Sequence, residues 1–177
     1  MSQFFTIYSD NPQARLVKQA ADLVRKGSVI VYPTDSGYAL GCHLGDRDAV
    51  MRIRKIRNVD DKHHMTLVCR DLSEIAHYAR VDNVQFRLMK SNTPGSYTFI
   101  LDATREVPKR LQHPKRSTIG LRIPDHPVAL ALLEELGEPL LSSSLILPGE
   151  EMAMHDAEEI REQLGNQVDL VIDGGPV

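Results

Sequence analysis

Four groups of residues in this chain have side chains and spacings suited to handling an anion. Arg52, Arg54, Lys55, Arg57 and Lys62 form its densest basic stretch. Lysine supplies a point charge and arginine a planar fork that can grip two phosphate oxygens, so the stretch reads as a phosphate clamp. It reads equally as a solvated helix end, where the helix dipole favours each cation by roughly 0.3–1 kcal/mol. Thr118, Gly120 and Arg122 alternate, which puts all three on one face of a strand; there an anion could approach the backbone beside an arginine, or the arginine could make a rim salt bridge. Ser142-Ser143-Ser144 follows an apolar run with three hydroxyls, either donors to a carboxylate, phosphate or ribose, or caps for local backbone. Thr34, Asp35, Ser36 and Tyr38 stand at the carboxyl end of another apolar run, the usual ligand side of α/β sheets.

The elements that must hold these groups follow from apolar periodicity. Phe4 to Tyr8 is a short strand, and beyond Pro12 the residues Leu16, Ala20, Leu23 and Val24 recur at helical spacing until Gly27. Ser28 to Tyr32 is a buried strand that breaks at Pro33 into a polar, glycine-bearing loop. Asp46 caps a helix with Val50, Ile53 and Ile56 on one face. Met65 to Cys69 is a third strand, followed by a short helix capped by Asp71 and Ser73 and a second helix from about Val81 to Lys90. Asn92-Thr93-Pro94-Gly95 is a turn, with strands at Tyr97 to Leu101 and Ser117 to Ile123 beyond it. Pro127 starts a helix through Leu130, Leu132, Leu133 and Leu136 that Gly137 closes. Pro139 to Ser143 is a strand, Asp156 to Leu164 a helix and Val168 to Ile172 the last strand. No repeat or linker interrupts them, so the prediction is one mixed-sheet α/β domain over residues 1–177.

Composition narrows the function. The 177 residues are 42% hydrophobic and 25% charged, enough for one well-buried core and few for two domains. A net charge of -3 gives no global basic field, so RNA would have to meet a local patch. No Trp and 5% aromatic content count against a single-strand stacking platform. Cys42 and Cys69 lack metal or disulfide spacing, and neither a signal peptide nor a long apolar run is present, which predicts a reduced, cytoplasmic, soluble protein. His63 and His64 are adjacent and point apart without a suitably spaced third ligand, so no metal site is expected. GxSxG, P-loop and GxGxxG motifs are absent, so the corresponding hydrolase and nucleotide-binding readings fail.

Taken in order, several segments resemble one family. Tyr32-Pro33-Thr34-Asp35-Ser36-Gly37-Tyr38-Ala39-Leu40-Gly41, Lys55-Ile56-Arg57, Pro94-Gly95-Ser96-Tyr97-Thr98 and the run from Thr118 through Arg122 to Pro127 match signatures of the YrdC-like threonylcarbamoyl-AMP synthase family. Within it the chain is most similar to the YciO branch. The resemblance implies a twisted mixed sheet flanked by helices around one deep, basic, concave site. It also implies that L-threonine, bicarbonate and ATP combine into threonylcarbamoyl-adenylate and pyrophosphate, for N6-threonylcarbamoyladenosine in tRNA, with Mg²⁺ carried largely by the nucleotide. By motif position Thr34, Tyr38, Arg122 and Ser142 would hold threonine, and Lys55, Arg57, Lys62, Thr118 and Ser144 the nucleotide and its phosphates. The alternative is a nucleotide- or double-stranded-RNA-binding paralogue without this catalysis.

Three departures qualify the match. The family's Ser-x-Asn is Ser144-Leu145-Ile146 here, which replaces an amide that donates and accepts with a side chain that does neither. The loop after Arg57 is one residue longer, so Lys62 or His63 could take the basic position; Lys62 is preferred because its charge is independent of pH near neutrality. The family pattern continues past the Asp173-Gly174-Gly175 turn into a Ser-Thr-Val strand, which is expected to be absent, truncated or outside a sequence that stops at Val177.

Overall fold

The computed structural model describes residues 2–60 and 62–177. β1 (Gln3–Thr6) leads into α1 (Ala14–Arg25), β2 (Ile30–Thr34), β3 (Gly37–His43), α2 (Arg47–Arg57), β4 (Thr66–Val68), α3 (Leu72–Tyr78), α4 (Asn83–Asn92) and β5 (Phe99–Asp102). A single 3-10 turn at Lys109–Leu111 precedes β6 (Thr118–Arg122), α5 (Pro127–Leu136), β7 (Leu140–Ser144), α6 (Ala157–Leu164) and β8 (Leu170–Asp173). The strands form one sheet in the order β1-β8-β2-β3-β7-β4-β6-β5. β1, β8 and β2 run parallel, as do β4 and β6, and the other neighbours are antiparallel. This is the mixed α/β sheet flanked by helices that the alternation of patterns predicts.

Alternate residues of the central strands serve two cores. On one face Ile30, Tyr32, Leu140, Leu170 and Ile172 pack with Val17, Ala20, Ala21 and Val24 of α1 and with Val128, Leu132, Leu133 and Leu136 of α5. On the other, Val31, Leu40, Leu67, Leu121, Leu141 and Val171 meet Ile53 and Ile56 of α2 and Ile160 and Leu164 of α6. The face of α1 is rotated from the expected one: Val17 and Ala21 are buried, while Leu16 and Leu23 are only partly so. The expected caps are present, with Asp46 accepting from Ala49 N at 3.0 Å and Gly137 in the left-handed conformation at φ 73 that a glycine adopts without strain.

The junction at Pro33 differs from the prediction. β2 continues through Pro33 and Thr34, and the residues read as a loop before the next helix are the two-residue turn Asp35-Ser36 and the strand β3. Proline is tolerated because its pairing partner Tyr38 directs its own N–H and C=O away from β2, to Met154 O and Leu145 N. The ladder of β2 with β8 pairs Ile30 and Val31 and has ended before Pro33, so the missing N–H has no bond to make. Gly37, at φ 111, closes the turn. The serine triplet lies wholly inside β7, which runs one residue past the expected end at Ser143, and its members alternate between the two faces.

Candidate functional site

The sheet is strongly curled, and that curl makes the site. β2 and β6 stand four strand steps apart, roughly 19 Å across a flat sheet at about 4.8 Å per step, farther than one arginine side chain reaches. Arg122 at the end of β6 nevertheless bonds Asp35 in the turn after β2. The two strand ends therefore approach across a concave face, and a cleft of about 50 Å³ lies between them, lined by Tyr32, Thr34, Thr66, Thr98, Arg122 and Ser142 to Ser144. That enclosed volume holds a few waters, which suits an end group of a ligand rather than a whole nucleotide. Farther along the same face the helical cover stops: Ile100, opposite Gly120, is 63% exposed.

Proton accounting separates the hydroxyls that are spent from those that are free. Ser142 donates to Leu40 O at 2.9 Å. Its contact of 2.6 Å with Tyr32 Oη must then run from the tyrosine, because a serine has one proton to give. Burial pushes the Tyr32 phenol up to about 12, so it stays a donor. Gly41 makes this arrangement fit: a Cβ there would lie 2.9 Å from Tyr32 Cε1. Thr34 is spent too, donating to Gly37 O at 2.6 Å and accepting from Ser36 N at 3.2 Å. Thr66, Thr98 and Ser144 make no side-chain hydrogen bond with any described residue, so the cleft hydroxyls with a proton to give are these and that of Ser143.

Seven of the nine expected site residues fall into three places. Thr34, Arg122, Ser142 and Ser144 line the cleft. Arg57 stands behind it, donating to Ser143 Oγ at 2.6 Å, Ile146 O at 3.3 Å and His63 Nε2 at 3.1 Å. Burial lowers both the Arg57 and His63 pKa values, and the arginine charge also lowers that of His63; a neutral His63 can accept on Nε2. Lys55 and Lys62 turn away from Arg57 and line a separate groove of about 830 Å³ with Arg47, Arg54, Lys109 and Arg110 over Val50, Met51 and Leu111. On a helix, residues two apart do not share a face, which is why Lys55 and Arg57 diverge. Thr118 lies at the start of β6, the opposite end from Arg122, and does not line the cleft.

Tyr38 is also outside the cleft. Its ring is on the other sheet face, and its hydroxyl donates to Gly175 O at 2.8 Å and accepts from Gly174 N at 3.2 Å. Tyr32, Thr66 and Thr98 are cleft residues that the sequence did not single out. The two-residue period marks Tyr32 with Thr34 and Thr66 with Val68 as sharing a face; their convergence depends on the curl of the sheet.

Fold and site together place this chain in a class: it belongs to the Sua5/YciO/YrdC family, whose model, described as telomere recombination, matches residues 22–177. Among relatives, YciO of Escherichia coli K12 is 63% identical over 175 residues, which cover 99% of this chain and 85% of that protein. The crystal structure of E. coli YciO superposes with a TM-score of 0.96 at 62% identity, covering 100% of this chain and 86% of that one. A threonylcarbamoyl-AMP synthase of Vibrio cholerae is 29% identical over 161 residues, 89% of this chain and 85% of that protein. P. abyssi Sua5, solved with L-threonine, shares the fold with a TM-score of 0.89 at 21% identity over 99% of this chain and 51% of its own. The resemblance to the family, and to its YciO branch, is borne out.

Proposed function

We propose that this protein carries out chemistry of the threonylcarbamoyl-AMP synthase type, condensing L-threonine, bicarbonate and ATP toward N6-threonylcarbamoyladenosine in tRNA. The observation that carries the reading is the cleft in which Arg122 faces the unspent hydroxyls of Thr66 and Ser144. Arg122 has a free Nη1 for a carboxylate, and Thr66, Thr98, Ser143 and Ser144 have protons for a hydroxyl or phosphate oxygen. The exposed sheet face at Ile100 offers room for the nucleotide beyond the enclosed cleft. In the reaction the amine and bicarbonate form a carbamate with loss of water; a carbamate oxygen then attacks the α-phosphorus and pyrophosphate leaves. The protein's part is to position these groups and neutralise charge. Mg²⁺ would arrive on the triphosphate, as is usual for that hard cation; its chemistry would be to shield the leaving pyrophosphate.

The test is pyrophosphate release from ATP with threonine and bicarbonate each present or omitted. Release that requires both supports the reading, and no release under any combination refutes it. The groove favours a second reading, a nucleotide- or double-stranded-RNA-binding protein without this catalysis. Its six cations sit on one surface although the whole chain carries -3, as a phosphate-tracking patch requires. Measurable, salt-sensitive RNA affinity without pyrophosphate release would select it.

A further inference from the structure

We propose that His63 is a positioning residue for Arg57: its neutral ring holds the guanidinium against Ser143, and its protonation withdraws that hold, so that acid weakens the grip of Arg57 on a phosphate; this rests on the nucleotide reading of Arg57. A guanidinium has five N–H groups and no acceptor. Arg57 Nε donates to Ile146 O at 3.3 Å, and Nη1 gives one proton to Ser143 Oγ at 2.6 Å and the other to His63 Nε2 at 3.1 Å. Nη2 makes no hydrogen bond with any described residue, so its two protons are the ones left for a ligand. Because the arginine can only donate, His63 Nε2 must accept, and the ring proton lies on Nδ1.

The loop that carries the ring is held by its backbone instead. Arg54 Nη1 donates to Asp60 O at 2.7 Å and to His63 O at 3.0 Å, and His63 N donates to Asp60 O at 3.2 Å. Among the described residues the imidazole itself bonds only Arg57, so the ring serves the guanidinium rather than the loop. Burial, and then the charges of Arg57 and Arg54 on α2 and the ring of His64, hold its pKa below the usual 6.5, while Asp60 acts the other way. The accepting form is therefore the resting one at neutral pH. Protonation makes Nε2 a donor that faces another donor, and a hydrogen bond becomes a contact between two cations. Since Nη1 serves Ser143 as well as His63, turning it from the ring takes it from the cleft wall too. A ring that touched the phosphate itself would act with the opposite sign, because its charge would attract the anion.

Nitrogen-15 NMR of the imidazoles in the free, full chain reads the contact without any nucleotide. The Nδ1–H tautomer of His63 is expected at pH 7.5, and Arg57→Gln should raise the His63 pKa by removing a cation. An Nε2–H tautomer, or a pKa unmoved in Arg57→Gln, overturns the proposal. Equilibrium dialysis with ATP then compares the wild type with His63→Gln, whose amide oxygen accepts at any pH, both at pH 7.5 and about one pH unit below the His63 value that the spectra give. The ratio of the two affinities cancels the titration of the nucleotide. It should lie within about twofold of unity at pH 7.5; at the lower pH only about a tenth of the wild-type sites hold Arg57 in place, so the wild type should bind about tenfold more weakly than His63→Gln. His63→Ala, which offers no acceptor, should lose about fivefold at pH 7.5, a loss that glutamine restores. A ratio that stays constant overturns the proposal, and one that moves in favour of the wild type on acidification overturns it by making His63 a phosphate ligand. Either result, alongside ATP affinity lost in Arg57→Ala, leaves the nucleotide reading of Arg57 standing, whereas unchanged affinity in Arg57→Ala removes that reading and this proposal together.

Discussion

Tyr32→Phe and Ser142→Ala, made singly and together, test the direction of the buried proton relay that floors the cleft. Tyr32 Oη donates to Ser142 Oγ at 2.6 Å, and Ser142 donates to Leu40 O at 2.9 Å. Tyr32→Phe removes one bond and leaves Ser142 still bonded to Leu40, at a cost of about 0.5–1.5 kcal/mol. Ser142→Ala removes both bonds and strands a wholly buried phenol; the lost bond to Leu40 adds about 1 kcal/mol to a desolvation penalty of about 1–3 kcal/mol. In the Tyr32→Phe background no phenol remains to be stranded, so the same serine change should cost only about 1 kcal/mol. The coupling is therefore about 1–3 kcal/mol, well outside the scatter of additive pairs. Urea unfolding reads it, with an unchanged m value to show that compactness is preserved. Additive costs, or a Ser142→Ala penalty no larger than that of Tyr32→Phe, would refute the relay and return Ser142 to the list of donors available to a ligand.

Arg57→Ala should weaken nucleotide binding about tenfold if the guanidinium reaches a phosphate through its remaining N–H groups. Unchanged affinity in equilibrium dialysis would leave it as an anchor for Ser143 and Ile146 only. Ile146→Asn should raise the rate of pyrophosphate release at little cost in stability, since this side chain is half-buried and its carbonyl keeps its bond from Arg57; an unchanged rate would show that the missing amide is not what limits turnover. His126 caps α5 by accepting from Val128 N on Nδ1 at 3.2 Å, which requires that nitrogen to be unprotonated, and burial lowers its pKa below the usual 6.5. Protons then bind the unfolded chain first, so stability is full above about pH 6.5 and is lost as pH falls through the folded value. His126→Asn, which retains a cap, should flatten this fall in urea midpoints between pH 7.5 and 5; an unflattened profile would assign the dependence to other groups such as His63.

Much of the fold was legible because it is dictated locally. Asp46, Pro127 and Gly137 sit where helix-end chemistry needs them, and the alternating faces of Thr118, Gly120 and Arg122 follow from the pleat alone. The prediction failed at Pro33 because a proline in an apolar run signals a break, and the sequence does not show that the neighbouring ladder has already ended there. It failed for Tyr38 for a related reason: a tyrosine near a cleft-lining threonine could face either side, and only its bonds to Gly174 and Gly175 assign it to the far one. Lys55 and Arg57 form a single motif in the sequence, but helical geometry sends one to the cationic groove and the other to Ser143.

Short motifs were enough for the resemblance to the family, and apolar periodicity for the mixed α/β class and for which residues share a strand face, because each of these is read from short stretches of the chain. Which of those residues line one cleft was settled by the folded arrangement alone. The curl of the sheet brings Arg122 from β6 to Asp35 beyond β2, and the order of hydrogen bonds decides which hydroxyls still have a proton to give. Both depend on contacts between residues far apart in the chain, about which a local pattern carries no information.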